Sequence, residues 1–285
     1  MTCTPSSPRA TPTSPPVEGT PVDDAAGGDV RRIGVDIGGT AIKYAVVDPV
    51  RGVVVGPLRR ILTPSPATPD AVVSALRAAL AELSTGPGAV DPRSPVGVGV
   101  PGIIDRGITR SAVHLDDSWL GRHAGHLLGE GLGRDVAVLN DADAAGLAEA
   151  RFGAARGVGG TVLMITLGTG IGSALFHDGQ LLPNTELGHV DLDGRDVDGW
   201  AGASARVAEG LDWPTYTARL QRYLAHLEGL ISPDLIVLGG GISERHQQFL
   251  PQLRLRARTV PAQLRNAAGI IGTARQAHLG RFLVP

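Results

Sequence analysis

The sequence predicts an α/β fold of two similar halves facing a shared cleft. The first observation behind this is a strand, a glycine turn and a returning strand where the apolar sequence begins. The second is the same arrangement 130 residues further on. There Asp36-Ile37-Gly38-Gly39-Thr40 falls on Thr166-Leu167-Gly168-Thr169-Gly170, and Asp48 falls on Asp178. Identities are few, but the order is kept. Each hairpin is followed by helical and strand patterns, so each opens an α/β half, and ligand sites favour the interface between such halves.

The elements follow in order. Residues 33–37 read as a strand, 38–40 as a turn, 42–47 as the returning strand and 53–61 as a third. Residues 69–83 carry Val72, Val73, Leu76, Leu80 and Leu83 at helical spacing, behind a Pro69 that suits a first turn. Short buried strands follow at 96–100 and 136–139, then a helix from 141 to about 152. The second hairpin, 161–167 with 172–176, encloses Gly168-Thr169-Gly170. A long helix at 213–230, a strand at 235–238, a helix at 243–253 and a last helix at 269–279 complete the pattern. Residues 1–30 are rich in Thr, Ser and Pro and read as a disordered leader, because they lack the apolar surface to offset ordering entropy. The expected division is a small lobe of residues 31–139 plus about 267–285, and a large lobe of 140–266.

Composition narrows the function. The chain has 285 residues, 42% hydrophobic, enough for a sizeable core. A net charge of −2 argues against a broad nucleic-acid surface. The single cysteine, Cys3, provides neither a disulfide framework nor a thiolate metal site. No segment has the ~20 apolar residues that span a bilayer, and the N-terminus lacks a secretory pattern, so the cytoplasm is expected. Lys43 is the only lysine, so almost every cation is an arginine, the side chain suited to bidentate phosphate contacts.

Gly97-Val-Gly99-Val-Pro-Gly102 matches a dinucleotide-binding spacing, but no helix follows it, and no P-loop pattern occurs. Gly38-Gly39-Thr40 and Gly168-Thr169-Gly170 can be plain hairpin turns, since glycine adopts positive φ readily. They can also bring backbone N–H groups against phosphate oxygens. Asp36, just before the first turn, can hold Mg²⁺ directly or through water. Gly239-Gly240-Gly241, between a strand and a helix, offers a third phosphate contact.

Asn140-Asp141-Ala142-Asp143 ends a strand and opens a helix. Capping accounts for Asn140 and Asp143 but does not require Asp141. A carboxylate fixed there suits a general base for a sugar hydroxyl, the one such group that phosphoryl transfer needs. Glu186 and His189 form a second cluster that suits sugar hydroxyls. A metal site is the other reading, though no third ligand has suitable spacing. The remaining histidines carry no comparable context.

Asp36-Ile-Gly-Gly-Thr40, Pro101-Gly-Ile-Ile-Asp105, Leu139-Asn-Asp-Ala-Asp143, Leu167-Gly-Thr-Gly-Ile-Gly172 and Glu186-Leu-Gly-His189 resemble, in that order, the ROK family of sugar kinases and repressors. The resemblance spans roughly residues 33–276 and is strongest to the polyphosphate glucokinase branch, whose pattern also includes residues 260–266. It implies a duplicated actin-like ATPase (ribonuclease H-like) fold with an interlobe cleft, Mg²⁺, a polyphosphate or ATP donor, glucose as acceptor, and a homodimer. Asp141 would be the base, and Gly102, Asn140, Glu186 and His189 would hold the sugar. Asp36 would hold Mg²⁺. Gly38, Gly39, Thr40, Lys43, Gly168, Thr169, Gly170, Gly239 and Gly240 would face the donor.

The chain departs from the family pattern at several points. Clustered zinc-binding cysteines are absent, so no zinc is expected. His114 stands where the family usually has Asn, and Asp117 and Glu244-Arg245 replace frequent lysines. The acidic residue expected after the Gly-His pair is Asp191, Asp193, Asp196 or Asp198. Arg254, Arg256, Arg258 and Arg265 offer a cationic track for a long donor, or else a solvated basic edge. An ATP-only glucokinase or a mannose kinase is the nearest alternative. A sugar-responsive repressor would need an N-terminal helix-turn-helix, and residues 1–30 have no such periodicity.

Overall fold

Two five-stranded sheets of identical strand order make up the architecture in the computed structural model, which describes residues 30–85 and 88–281. The expected leader, apart from its last residue, lies outside the described residues. In the first sheet β1 (Arg32–Ile37) pairs antiparallel with β2 (Ala41–Asp48), and β2 with β3 (Val53–Leu62). On the other side of β1, β4 (Val96–Val100) and β7 (Val136–Asn140) join in parallel. The second sheet repeats the plan. β8 (Thr161–Leu167) pairs antiparallel with β9 (Ile171–His177), which pairs with β10 (Gln180–Leu182). β11 (Leu235–Gly239) and β12 (Arg258–Pro261) join β8 in parallel. A common order of third, second, first, fourth and fifth strand gives the sequence duplication its structural form. β5 (Ile104–Asp105) and β6 (Ile108–Thr109) form a small separate hairpin.

Helices fill three layers. α1 (Pro69–Leu83), capped by the Thr68 hydroxyl, and α2 (Ala124–Leu132) pack with the first sheet around buried Leu76, Leu80 and Leu128. α3 (Asp141–Phe152) and α7 (Ala268–His278) lie between the two sheets in a central core with Val162, Met164 and Phe176. α4 (Val197–Ala201), α5 (Ala203–Ala208) and α6 (Trp213–Ile231) accompany the second sheet, and Tyr216, Tyr223 and Leu227 of α6 are fully buried there. Helix α7 touches β1 and β4 so closely that a Cβ at Gly34 would fall on the Ile270 carbonyl, and one at Gly97 on that of Thr273. The glycine pattern at 97–102 therefore serves helix packing at its first position, a role the sequence reading did not anticipate.

The expected helix at 243–253 is instead two 3-10 stretches, Gly241–Gln248 and Leu250–Gln252. Arg245 and Phe249 (φ −130°, ψ −38°) leave helical geometry, and Pro251 cannot donate to a continuing helix.

Candidate active site

Both glycine turns open onto one cleft of about 340 Å³ between the sheets, a size common for small-molecule sites. In the first turn the Gly38 N–H donates to Ala41 O at 3.1 Å. The Thr63 hydroxyl donates to Gly38 O at 2.6 Å, and the Thr63 N–H to Thr40 O at 3.1 Å. In the second turn the Gly168 N–H donates to Gly170 O at 2.9 Å, and the Ser204 N–H to Gly168 O at 3.2 Å. The Thr40 and Thr169 hydroxyls meet across the cleft at 3.4 Å. A Cβ at Gly170 would collide with the Asp198 carboxylate and the His114 ring. His114 also lies against Gly39, so it stands between the two turns.

Asn140 ends β7 and caps α3, accepting from the Asp143 N–H at 2.9 Å and donating to Gly102 O at 3.0 Å. Capping is therefore its structural role, with one amide N–H left over. That cap sets Asp141 at the first position of α3, on the cleft. Asp141 Oδ1 accepts from the Ala142 N–H at 2.8 Å. Burial, followed by the Asp36 charge, pushes the Asp141 carboxyl up to about 8, against the lowering effect of that N–H and with smaller contributions from Glu186 and Asp143. Asp36 itself accepts from Lys43 Nζ at 3.2 Å.

Two further acids near Asp141, Asp143 and Glu186, are shifted by burial, and of the two Glu186 lines the cleft. Asp143 is 2% exposed. Its Oδ2 accepts from the Asn184 N–H at 2.8 Å, and its Oδ1 has no hydrogen-bond partner. Burial and the Glu186 charge push Asp143 up to about 7, in spite of the Asn184 bond. Asn184, at φ +61°, ties the halves together by exchanging hydrogen bonds of 2.9 and 3.1 Å with the Ile104 backbone. Glu186 Oε1 is buried and unpartnered, and burial raises the Glu186 pKa, with His189 opposing and Asp198 reinforcing. At His189 burial lowers the pKa, but the hydrogen bond from Nδ1 to Asp196 at 3.1 Å and the nearby carboxylates outweigh it, so the net shift is upward. The segment carrying Glu186 and His189 is held by the Ser173 hydroxyl, which donates to Thr185 O at 2.6 Å and accepts from the Leu187 N–H at 3.0 Å.

Of the four candidate acids after His189, Asp198 reaches the cleft, where it accepts from the Ile171 N–H at 2.5 Å. Asp191 caps the Gly194 N–H, Asp193 pairs with Arg222, and Asp196 holds His189. Every predicted site residue lines the cleft except Gly239, which is buried at the end of β11. Gly240 and Gly241 line the cleft in its place, and at φ +78° Gly240 lies against the Leu167 backbone. Of the four arginines expected as a donor track, Arg265 alone lines the cleft. Arg254 donates to Pro251 O and Leu253 O, and Arg256 bonds to Glu228. Sequence reasoning missed Arg60 and the part played by Asp143 beyond capping.

Among the described residues no group of three or more His, Cys, Asp or Glu side chains is arranged to hold a metal ion, and no helix is long and apolar enough to cross a membrane. Within the cleft, Asp36 and Asp141 present hard carboxylate oxygens close enough to perturb one another, with Lys43 as the neighbouring cation. That donor set fits Mg²⁺, which takes one or two carboxylates and completes its shell with water and phosphate.

The ROK family profile matches residues 32–210. The chain belongs to the ROK family. Among its relatives, the polyphosphate glucokinase of Mycobacterium tuberculosis (strain CDC 1551 / Oshkosh) is 43% identical over 242 residues, 85% of this chain and 89% of that protein. The crystal structure of the inorganic polyphosphate/ATP-glucomannokinase of Arthrobacter sp. strain KM is 54% identical, with a TM-score of 0.86 over 88% of this chain and 99% of that one. A ROK family glucokinase from Streptomyces griseus, solved with glucose and AMPPNP, is 27% identical, with a TM-score of 0.71 over 88% of this chain and all of that one, 100%. The actin-like fold of ROK sugar kinases is thus the fold of this chain, with the two glycine turns on its cleft.

Proposed function

We propose that this protein is a glucokinase that transfers a phosphoryl group from inorganic polyphosphate, and from ATP, to the 6-hydroxyl of glucose. The observation that carries this reading is a base candidate, Asp141, fixed at a helix start on a cleft that also presents a pair of glycine turns suited to phosphate and the Glu186, His189 and Asp198 side chains suited to hydroxyls. The polyphosphate enzymes at 43% and 54% identity support the donor.

In this mechanism Glu186, which lines the cleft, accepts from a sugar hydroxyl on its unpartnered Oε1 and gains the partner it lacks. His189, oriented by Asp196, and Asp198 complete the sugar contacts, with Gly102 and the remaining Asn140 N–H behind them. Asp141 keeps Oδ1 on the Ala142 N–H and takes the proton of the 6-hydroxyl on Oδ2. The Gly38 and Gly168 N–H groups close the two turns, and the N–H groups of Gly39 and Gly170, with the Thr40 and Thr169 hydroxyls, surround the transferring phosphoryl group. Lys43 and the Gly240 turn hold the donor beyond it. Mg²⁺, held by Asp36, neutralises charge on the donor phosphates when bound. On this reading the small lobe is residues 31–139 with 267–285 and the large lobe 140–266, and the protein is a cytoplasmic homodimer.

The test is a coupled assay of glucose with polyphosphate or ATP, reading glucose 6-phosphate. Turnover with both donors is expected. Turnover with ATP alone would remove polyphosphate from the reading, and turnover with neither would remove the kinase. The Arthrobacter relative is named for mannose as well as glucose, so mannose is the second acceptor to try.

A further inference from the structure

Strand register places Asp36 of β1 opposite Lys43 of β2, and Lys43 opposite Arg60 of β3. Residues directly opposed in neighbouring strands share a face of the sheet. The three side chains therefore form a row that starts at the buried end of the cleft, beside Asp141, and runs outward to the edge strand. Each step across the sheet is ~4.8 Å, so Arg60 stands roughly two steps beyond the acid at the reacting end. Lys43 is engaged with Asp36 at 3.2 Å, and Arg60 is exposed on the cleft.

Arg265, between β12 of the second sheet and α7, lines the same cleft, beside the 3-10 stretch that follows Gly240. Its backbone sits at φ +50°, a conformation that side-chain-bearing residues adopt at a cost of order 1 kcal/mol and that recurs at ligand clamps. The preceding loop is held firmly. The fully buried Glu149 of α3 accepts from the Leu264 N–H at 2.7 Å and from the Gln263 N–H at 3.2 Å. On the far side of Arg265, Asn266 donates to Glu244 at 2.5 Å. Among the described residues, neither the Arg60 nor the Arg265 guanidinium has a hydrogen-bond or carboxylate partner, whereas Arg59, Arg219 and Arg256 each have one. Two unneutralised guanidinium groups on one cleft, one from β3 of the first sheet and one from the segment after β12 of the second, call for an anion, and phosphate matches their planar donors.

We propose that Arg60 and Arg265 form a clamp for the donor phosphates beyond the transferred group, and that this clamp favours a chain of phosphates over a nucleotide. The inference rests on the polyphosphate reading above. A nucleotide presents no charge past its three phosphates, while polyphosphate continues its charge through the clamp and out of the cleft. The clamp thus replaces the Arg254, Arg256 and Arg258 track that sequence alone suggested.

Arg60→Gln, Arg265→Gln and the double variant test it, with Arg59→Gln as control because Arg59 pairs with Glu82. Initial rates would be measured with long-chain polyphosphate, tripolyphosphate and ATP, at low and at moderate salt. The double variant should raise the long-chain KM at least ~10-fold, the loss of charge-assisted bonds at two positions. It should raise the ATP KM ~3-fold or less and leave the glucose KM unchanged. The salt dependence of the long-chain KM should also flatten, because exposed charge contacts are screened over ~8–10 Å. Equal rises for ATP and long chains, or no rise for long chains, would overturn the clamp while leaving the donor assignment intact. A wild-type enzyme that turns over ATP but not polyphosphate would overturn the donor assignment and the clamp with it.

Discussion

Replacing Asp141 with Asn separates the chemical role of this residue from its effect on the fold. Burial and the Asp36 charge lift its carboxyl to about 8, far above its ordinary range. A group with a raised folded pKa holds its proton in the native state and has lost it in the unfolded state, so between the two values the native state binds more protons and stability falls as pH rises. One such proton changes stability by about 1.4 kcal/mol per pH unit. From about pH 5 to about pH 7 the wild type should therefore lose roughly 2.5 kcal/mol that Asp141→Asn keeps. At ~2–4 °C per kcal/mol, the Tm gap between them should widen by roughly 5–10 °C over that interval. Scanning calorimetry of both proteins in metal-free buffer measures this, because a bound cation would itself stabilise the carboxylate. The same substitution removes the acceptor for the sugar proton and should lower kcat by ~10²–10⁴, with glucose affinity by titration calorimetry nearly unchanged. A Tm gap that stays constant with pH would refute the burial argument. A variant keeping more than half of wild-type turnover would refute the base assignment.

Glu186→Gln and His189→Ala should raise the glucose KM and blur epimer preference while sparing the donor KM, since both leave hydroxyl partners unpaired. A rise in donor KM alone would put them on the wrong side of the cleft. Asp198→Ala releases the Ile171 N–H beside the second glycine turn, so both kcat and the glucose KM should worsen in steady-state assays. Glu149→Ala leaves three backbone N–H groups, those of Ala154, Gln263 and Leu264, without their acceptor. Each buried unpaired group costs ~1–3 kcal/mol, so a Tm drop of at least ~6 °C is expected by calorimetry, with the polyphosphate KM raised as the Arg265 loop loosens.

Both hairpins were legible because β-branched runs flank glycine turns, and β8 and α3 match the expected bounds. The duplicated order of the sheets was legible as far as the first two strands of each half. β10 has three residues, too few for any alternation to register. In α2, Gly125, Gly129 and Gly131 lower helix propensity enough to hide a helix that packing on the first sheet supports. β12 was not expected because it ends on Pro261, so Arg254, Arg256 and Arg258 read as a donor track or a solvated basic edge, whereas they lead into and open an edge strand. At the site, motif residues of the two turns and of α3 could be named because their chemistry is local. Asp198 could not be chosen among four acids, because the short helix α4 and the Asp196 cap decide which carboxylate faces the cleft. Arg60 was invisible for the same reason: only the pairing of three strands aligns it with Asp36 and Lys43.

Helix α3 shows why these separate features belong to one device. Its cap, Asn140, accepts from Asp143 and donates to the Gly102 loop, its first residue is the proposed base, and Asp143 holds the Asn184 bridge between the halves. Glu149, eight residues after Asp141 and so ~12 Å along the axis, holds the loop before Arg265. The Gly102 loop, the proposed base and the loop before Arg265 are thus spaced by hydrogen bonds to a single helix buried between two sheets. Its N-terminal dipole favours an ionised Asp141, whereas burial and Asp36 oppose ionisation. The carboxyl pushed up to about 8 shows that burial and Asp36 prevail. A base balanced there has more affinity for the sugar proton than an exposed aspartate, and it is still deprotonated in a useful fraction near neutrality. A cation bound at Asp36 would lower that pKa by offsetting the nearest negative charge. Asp141 should then be most fully ionised when the donor and its metal are in place, which ties proton removal to the presence of the phosphate that is to be transferred.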